Sequence, residues 1–492
     1  MKKFAKLLGF DPVAKQTSVK TEIIAGVVTF LAMAYILTVN PDQIFGGTDS
    51  PYWSSAFIAT ALGAVVGTLF MAFIAKMPLV QASGMGLNSM IGGLIGGVMG
   101  EGMNFTPGQA FFIVLISGFI FLALSGIAVK GKTFRELVFD GMPVSVRSAI
   151  AVGIGLFIAY IGFQNAGIIV ANEFTQVALV DFTSWEACKT AILALIGLFI
   201  ITVLDKMNVK GSVILGILVA TIIGIPFGVT NLELLKGQAP GISWKFWENF
   251  KNFFTGEYTV FGSFTNVFKG EGIAPEGVSV FTVIMIVITM CMIDMFDTMG
   301  TIVGCCGGNR ILSDESGKPY NYGKIMLSDS IATCTGAMIG TSTVTTFVEA
   351  GAGVSAGGRT GLTALSAATL FFSAMFAIPL FAVIPSAATA AALIYVGVLM
   401  MKGNFKSIDF HTAINATAAF LTISVMVLSY SITDGIGAGL VSYTIMSLLA
   451  YIAELIKYAI TKKNKPKWDI SAVAIIVSIL FCVYFFVPTT LF

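Results

Sequence analysis

The chain has 492 residues, of which 56% are hydrophobic and 11% are charged, and its formal net charge at pH 7 is +2. About a quarter of the residues of a soluble protein are charged, so this composition excludes a soluble protein and indicates a polytopic membrane protein. The nearly balanced charge also argues against a nucleic-acid partner. Membrane lipid and a small solute are the expected partners.

The N-terminal 22 residues combine lysines with apolar side chains. This pattern predicts a cytoplasmic amphipathic segment on the membrane surface, since a secretory signal would need an apolar core and a cleavage site. Six cysteines show neither metal-ligand spacing nor the density of a disulfide scaffold, so we expect reduced, packed thiols and neither a metal nor a cofactor.

Apolar stretches of spanning length predict fourteen transmembrane segments, seven on each side of a polar loop. The first seven lie near residues 21–39, 55–75, 78–98, 109–129, 143–163, 187–204 and 211–227. The second seven lie near residues 278–303, 323–340, 343–357, 362–384, 386–402, 411–430 and 432–458. A further apolar stretch, 470–487, could cross the membrane or lie at its surface, and it is left unassigned.

Most Lys and Arg residues fall in the connections that a cytoplasmic N-terminus would place inside the cell. This distribution predicts a multi-pass protein of the cell membrane with both ends of the fourteen-span bundle cytoplasmic. Because each half has an odd number of spans, the second half enters the membrane with opposite polarity. The fold class predicted is therefore all-α, with a 7+7 inverted repeat, and such repeats place the substrate site near the membrane midplane.

The third span of each half is short and rich in Gly, Ser and Thr. Each of these spans predicts a short strand followed by a half-helix, and we expect the two segments to cross at the site. Their sequences are PLVQASGMGLNSMIGGLIGG and GTSTVTTFVEAGAGVSAGG. Asn88 and Glu349 lie close to the predicted half-helix starts, where free N–H groups and a positive dipole end are available. A purely structural role remains open, in which Glu349 caps its helix and Asn88 ties two helices together.

Span 8 carries two acids one helical turn apart, Asp294 and Asp297. Ionised carboxylates in hydrocarbon are costly, so the pair predicts a substrate or ion site, although wetted acids near a span end are the alternative. Thr298 and Thr301 follow at a spacing of four residues and could bond to the acids or back to their own helix.

Five segments together resemble the adenine/guanine/hypoxanthine permeases, the AzgA-like branch of the nucleobase–cation symporters. They are DMFDTMGT, GMGLNS, TSTVTTFVEAGAGV, TEIIAGVVTFLAMAYILTVNP and SITDGIGAG, and they cover nearly the whole chain. The resemblance implies a uracil-permease-like architecture with a core domain (21–130 and 278–384) and a gate domain (131–227 and 385–458). The remaining parts are an N-terminal segment (1–20), an extracellular loop (228–277) and a C-terminal segment (459–492).

The same resemblance implies that Asn88, Asp294 and Glu349 line a nucleobase site, with Asp297 beside it. Relatives that take xanthine, urate or uracil have Asn directly after the span-10 acid or its equivalent, whereas Ala350 follows Glu349 here. This departure favours guanine, hypoxanthine and adenine over uracil and xanthine.

The chemistry of a purine base fits these residues. Carboxylates can accept its N–H groups, and Asn88 can both donate and accept. Phe296 and Phe347 could form an aromatic wall, although ordinary packing is an equal alternative in a chain with 41 Phe residues. A buried carboxyl among Asp294, Asp297 and Glu349 could carry the coupling proton, and Na⁺ bound by the same oxygens is the competing prediction.

Other functions have weaker support. An anion transporter would need a cationic group at the site, but the Lys and Arg residues fall near span ends. The single histidine, His411, is expected at the surface, and no Walker sequence is present, so neither an enzyme nor an ATP-driven pump is predicted. The sequence leaves the preferred purine, the coupling ion and the choice between monomer and homodimer open.

Overall fold

The computed structural model describes residues 10–11, 14–96, 103–129, 132–133, 141–172, 175–209, 211–237, 242–306, 311–313, 319–462, 468 and 470–486. Residues 1–9 of the predicted N-terminal surface segment therefore lie outside the described part of the chain.

The first half of the chain contains eight helices and five short strands within these ranges. In order they are α1 (Val19–Met33), α2 (Ile36–Phe45), α3 (Trp53–Phe70), β1 (Gln81–Ser83), α4 (Met85–Ile95), α5 (Pro107–Gly126), β2 (Ala128–Val129), β3 (Lys132–Thr133), α6 (Val144–Asn165), β4 (Ile169–Asn172), β5 (Gln176–Leu179), α7 (Trp185–Lys206) and α8 (Ser212–Gly224). A π-helical turn, Met71–Ala75, extends α3.

The second half contains ten helices and one strand within the described ranges. They are α9 (Phe246–Thr255), α10 (Val280–Cys306), α11 (Tyr322–Ile339), β6 (Val344–Thr346), α12 (Ala350–Ser355), α13 (Gly361–Ala374), α14 (Ile378–Ala382), α15 (Ser386–Asn404), α16 (Ala413–Leu428), α17 (Ile432–Thr461) and α18 (Ala472–Phe486). The stretch at 470–487, left unassigned above, is thus mainly the helix α18.

The strand and half-helix predicted in each third span are confirmed. β1 pairs antiparallel with β6, with Gln81 opposite Thr346 and Ser83 opposite Val344. The ladder is extended by the Phe347 N–H, which donates to the Val80 carbonyl at 3.2 Å. Because the strands pair with each other, their backbone groups are satisfied in a region that is fully buried.

The helices pack in two groups. The strand-bearing bundle contains α1 to α5 and α10 to α13 together with β1 and β6, and the second bundle contains α6 to α8 and α15 to α17. Helix α3 lies directly against β6, since a side-chain carbon added at Gly67 would meet the Val344 Cγ1 at 2.5 Å. Among the described residues, eight helices or joined helix pairs are long and apolar enough to cross a membrane.

Candidate functional site

The two paired strands bring together a buried polar cluster at the end of the pair where Ser83 lies opposite Val344. Asn88, in the first turn of α4, accepts hydrogen bonds at Oδ1 from the Ser83 hydroxyl at 2.9 Å and from the Ser342 hydroxyl. Ser342 lies two residues before β6, so Asn88 connects the two broken segments. Its side chain is fully buried.

The acids of α10 face different partners. Asp294 is fully buried and its Oδ2 accepts a hydrogen bond from the Thr333 hydroxyl of α11 at 3.1 Å. The Thr298 hydroxyl donates to the Asp329 Oδ2 at 2.8 Å, and Asp329 also belongs to α11. Asp297 is partly exposed and interacts electrostatically with Asp329 and Glu349.

Glu349 is held by a residue from the first span. It lies at the start of α12, and its Oε1 accepts a hydrogen bond from the Tyr35 hydroxyl at 2.6 Å. Tyr35 is fully buried and occupies the short break between α1 and α2. The break in the first helix therefore directs a hydroxyl group at the acid of the tenth predicted span.

A cavity lies between the two bundles. Its polar lining comes from Asp297, Thr346 and Glu349 of the strand-bearing bundle, and Phe347 and Met85 of the same bundle also border it. The second bundle contributes only apolar side chains, which are Ile158 of α6 and Val396, Leu399 and Met400 of α15. The arrangement combines carboxylate acceptors with apolar walls, which suits a small planar solute with N–H donors.

The structure brings Asp297, Phe347 and Glu349 together at this cavity. Asn88, Asp294 and Thr298 are not among its lining residues and bond to the elements that support it. The side chain of Phe296 lies outside the described part of the structure. Thr301 is buried on α10.

Two further polar residues near the site were not singled out by the sequence analysis. Asp329 is an acid inside a predicted span, so the rule that identified Asp294 could have found it. Tyr35 offers no such signal, because its partner Glu349 is 314 residues away in the chain. The apolar residues with which the second bundle lines the cavity were not predicted either, because residues that face lipid have the same composition.

His411 is exposed before α16, as expected. The neighbouring Asp409 lies outside the spans. Hydrogen bonds from the Thr412 and Asn415 side chains and from the His411 backbone lower the pKa of Asp409 to about 2.

In the described ranges, no group of three or more His, Cys, Asp or Glu side chains is arranged to hold a metal ion.

Long apolar helices around a cavity with buried acids define a multi-pass membrane protein of the transporter class. The sequence profile of the Permease family (Xan_ur_permease) matches residues 20–438, and the chain belongs to this family. It is a permease and not an enzyme.

Curated relatives agree with this assignment, and a solved structure shares the fold. The chain is 35% identical to the adenine permease AdeQ of Escherichia coli over 88% of each chain. It is 34% identical to the guanine/hypoxanthine permease PbuO of Bacillus subtilis over 96% of this chain and 98% of that protein. The transmembrane domain of the cyanobacterial bicarbonate transporter BicA has a similar fold, with a TM-score of 0.58 at 16% identity over 85% of this chain and 97% of that one.

Proposed function

We propose that the protein is a secondary active transporter that imports purine nucleobases, namely guanine, hypoxanthine and adenine, by proton symport. One observation carries this proposal: Asp297 and Glu349 line a cavity whose other walls are mainly apolar, in a chain whose relatives include adenine and guanine/hypoxanthine permeases. Carboxylates accept the N–H groups of a neutral purine, and the apolar side chains cover its ring faces.

In this proposal the residues that form the substrate site, either in its lining or in its support, are Asn88, Asp294, Phe296, Thr298, Phe347 and Glu349. Glu349 and Phe347 act from the cavity lining, whereas Asn88, Asp294 and Thr298 hold the strand crossing and α10 in place behind it. The proton is carried by the acids Asp294, Asp297 and Glu349. Their position within predicted spans supports this role, because ionisable side chains are rare in spans and often belong to ion or proton pathways.

The transport cycle that we propose is alternating access between the two bundles. The strand-bearing bundle corresponds to the predicted core domain (21–130 and 278–384), and the second bundle to the gate domain (131–227 and 385–458). The predicted fourteen spans, the 7+7 inverted repeat and the cytoplasmic N-terminus belong to the same proposal. The position of the cavity between the bundles supports it, since relative movement of the bundles would open the cavity to one side at a time.

A competition assay tests the substrate and the driving ion together. Cells that express the protein should accumulate labelled hypoxanthine, and excess guanine or adenine should suppress this uptake, whereas uracil and sulfate should not. A protonophore should abolish accumulation at constant external Na⁺. Competition by uracil would contradict the choice of purines, and uptake that follows Na⁺ and resists the protonophore would replace proton symport by Na⁺ symport.

A further inference from the structure

A hydrogen bond joins the two bundles at Asp42. This acid belongs to α2 of the strand-bearing bundle, and its Oδ2 accepts a hydrogen bond from the Thr389 hydroxyl at 3.1 Å. Thr389 lies near the start of α15, a helix of the second bundle. Both residues are buried. Because the bond crosses the boundary between the bundles, a movement that separates them at this point must break it.

The bond lies to one side of the cavity. Val396, Leu399 and Met400 of α15 line the cavity. Thr389 precedes Val396 by seven residues, which is about 10 Å along a helix. In the proposed fourteen-span topology, α2 ends on the outer side of the membrane and α15 begins there. The bond between Asp42 and Thr389 therefore lies between the cavity and the outside.

Leu393 lies on α15 between this bond and the cavity. It follows Thr389 by four residues and precedes Val396 by three, so the three side chains share one face of the helix. This face points towards the strand-bearing bundle, because Thr389 is bonded to Asp42 and Val396 borders the cavity between the bundles. Only 1% of Leu393 is exposed in this structure. Separation of the bundles on the outer side would expose it.

Each partner keeps a hydrogen bond when the bond between the bundles breaks. Asp42 is held within its own bundle, since the Trp53 indole N–H donates to its Oδ1 at 2.7 Å. The Thr389 hydroxyl has a second acceptor in its own helix, the Ser386 carbonyl oxygen at 3.0 Å. After separation, Thr389 can donate to Ser386, and water that enters the opening can donate to Asp42. Because no polar group is left without a partner, the bond can break and form again.

We propose that the hydrogen bond between Asp42 and Thr389 is a latch, which holds the cavity closed towards the outside and breaks when the outer side opens. This inference rests on the proposed function, because alternating access requires the outer side to close and reopen in each cycle. The latch is formed in this structure, which is therefore a conformation closed on its outer side. Neither residue of the latch lines the cavity, so its role is separate from substrate binding.

Reaction of a buried cysteine with a membrane-impermeant maleimide on intact cells tests the latch. Leu393→Cys places a thiol between the latch and the cavity, where the reagent reaches it only through an open outer side. Adding Thr389→Val keeps the shape of the side chain and removes the donor. A hydrogen bond to a charged acceptor shifts a two-state equilibrium by about ten- to a hundredfold, and we expect the labelling rate to rise by about this factor.

Thr389→Ser is the matched control, because it keeps the hydroxyl group. Combined with Leu393→Cys, it should label at the rate of Leu393→Cys alone. The Thr389 variants without Leu393→Cys measure the labelling of the native cysteines, and an immunoblot of membrane-inserted protein normalises all rates. Equal labelling with Thr389→Val and Thr389→Ser would overturn the proposal. Labelling that requires permeabilised cells would also overturn it, since the contact would then close the inner side.

Asp42→Asn tests the other partner of the latch. It replaces a charged acceptor by a neutral amide, so it should also raise the labelling rate of Leu393→Cys. Because both residues act through one bond, Asp42→Asn should add nothing to the effect of Thr389→Val. Additive effects of the two substitutions would mean that Asp42 and Thr389 act independently, which would contradict a latch between them.

The labelling assay separates this proposal from the proposed function, because it requires no transport. Wild-type protein that fails to take up purine, or that takes it up regardless of a protonophore, would contradict the proposed function itself. The dependence of labelling on the Thr389 hydroxyl decides the existence of the latch in either case.

Discussion

At the scale of single residues, the buried acids are stabilised by neutral hydrogen-bond donors. Hydroxyl groups donate to Asp294 and Glu349, and a hydroxyl and an amide donate to Asp329. Neutral donors offset only part of the cost of burying a charge, whereas a full ion pair would hold each acid in its ionised form. These neutral donors are compatible with the proton symport proposed above.

The first prediction at this scale concerns two acids. Asp294→Asn and Glu349→Gln should each abolish purine uptake while the protein remains in the membrane. Each substitution keeps the size of the side chain but removes a charged acceptor, and a hydrogen bond to a charged group contributes about 1.5–3 kcal/mol. The loss of one such bond in each variant alone would reduce the rate by about one to two orders of magnitude, and the loss of the charge that carries the proton should remove the remaining uptake.

Initial rates of labelled hypoxanthine uptake, divided by the amount of membrane-inserted protein on an immunoblot, measure this effect. Glu186→Gln is the control, because Glu186 is exposed at the start of α7 and pairs with Lys189 at the surface. Wild-type rates in both acid variants would remove Asp294 and Glu349 from the proposed site.

The ionisable residues were the part of the site that the sequence predicted most readily. Asp294, Asp297 and Glu349 stand out because charged side chains are rare within apolar spans. The sequence does not reveal which acids border the cavity, since this depends on the rotation of α10 and on the hydrogen bonds to α11. Tyr35 could not be inferred either, because an isolated tyrosine is compatible with many positions in a span.

At the scale of elements, the two strands could be predicted because their composition is unsuitable for a plain lipid-facing helix. Gly, Ser and Thr in short spans indicated broken helices, and β1 and β6 occupy these positions. The register between Gln81 and Thr346 was not predictable, because it depends on how α3 and α11 pack around the strands. The break at Tyr35 between α1 and α2 also escaped prediction, since residues 31–37 contain no Gly, Pro or charged residue.

The contact between α6 and α15 provides an element-scale prediction. These helices approach closely where Gly155 meets Gly397, and a side-chain carbon at Gly397 would lie 2.3 Å from the Gly155 carbonyl oxygen. Gly397→Ala should therefore separate the helices or strain them, at a cost of about 1–3 kcal/mol. Because Ile158 and Val396 from the same two helices line the cavity, uptake should fall as well.

Thermal unfolding in detergent and hypoxanthine uptake measure the two effects. Gly403→Ala is a matched control on the same helix, since a side-chain carbon there would meet no atom within 4 Å. A Gly397→Ala protein with the unfolding midpoint and uptake of the Gly403→Ala protein would show that this close packing is unimportant.

At the scale of the whole molecule, a polar contact at Asp42 joins the two bundles, and a further bond holds Asp42 within its own bundle. The Thr389 hydroxyl of α15 donates to the Asp42 Oδ2 of α2 at 3.1 Å, and the Trp53 indole N–H donates to the Asp42 Oδ1 at 2.7 Å. When the bundles move relative to each other, a bond between them must either break and be replaced or be kept by a local rearrangement of its residues. A single neutral donor to a buried acid contributes only about 1.5–3 kcal/mol, which is compatible with reversible rearrangement.

The number of membrane crossings determines which side of the membrane each loop faces. Cysteine labelling at two loop positions therefore tests the number of crossings. With fourteen spans, Trp247 follows seven crossings and His411 follows twelve, so the two positions lie on opposite sides of the membrane. If only the eight long helices crossed, Trp247 would follow five of them and His411 seven, and both would lie on the same side. The charge distribution further predicts that Trp247 is outside and His411 inside.

Trp247→Cys should therefore react with a membrane-impermeant maleimide on intact cells, and His411→Cys should react only after permeabilisation. Both positions are exposed, with 78% of Trp247 accessible, so access of the reagent depends on the side of the membrane. The wild-type protein measures the background from its six cysteines, which are buried or half-buried in the structure. Labelling of both variants on intact cells would contradict the fourteen-span inverted repeat, because an odd number of crossings must separate the two positions.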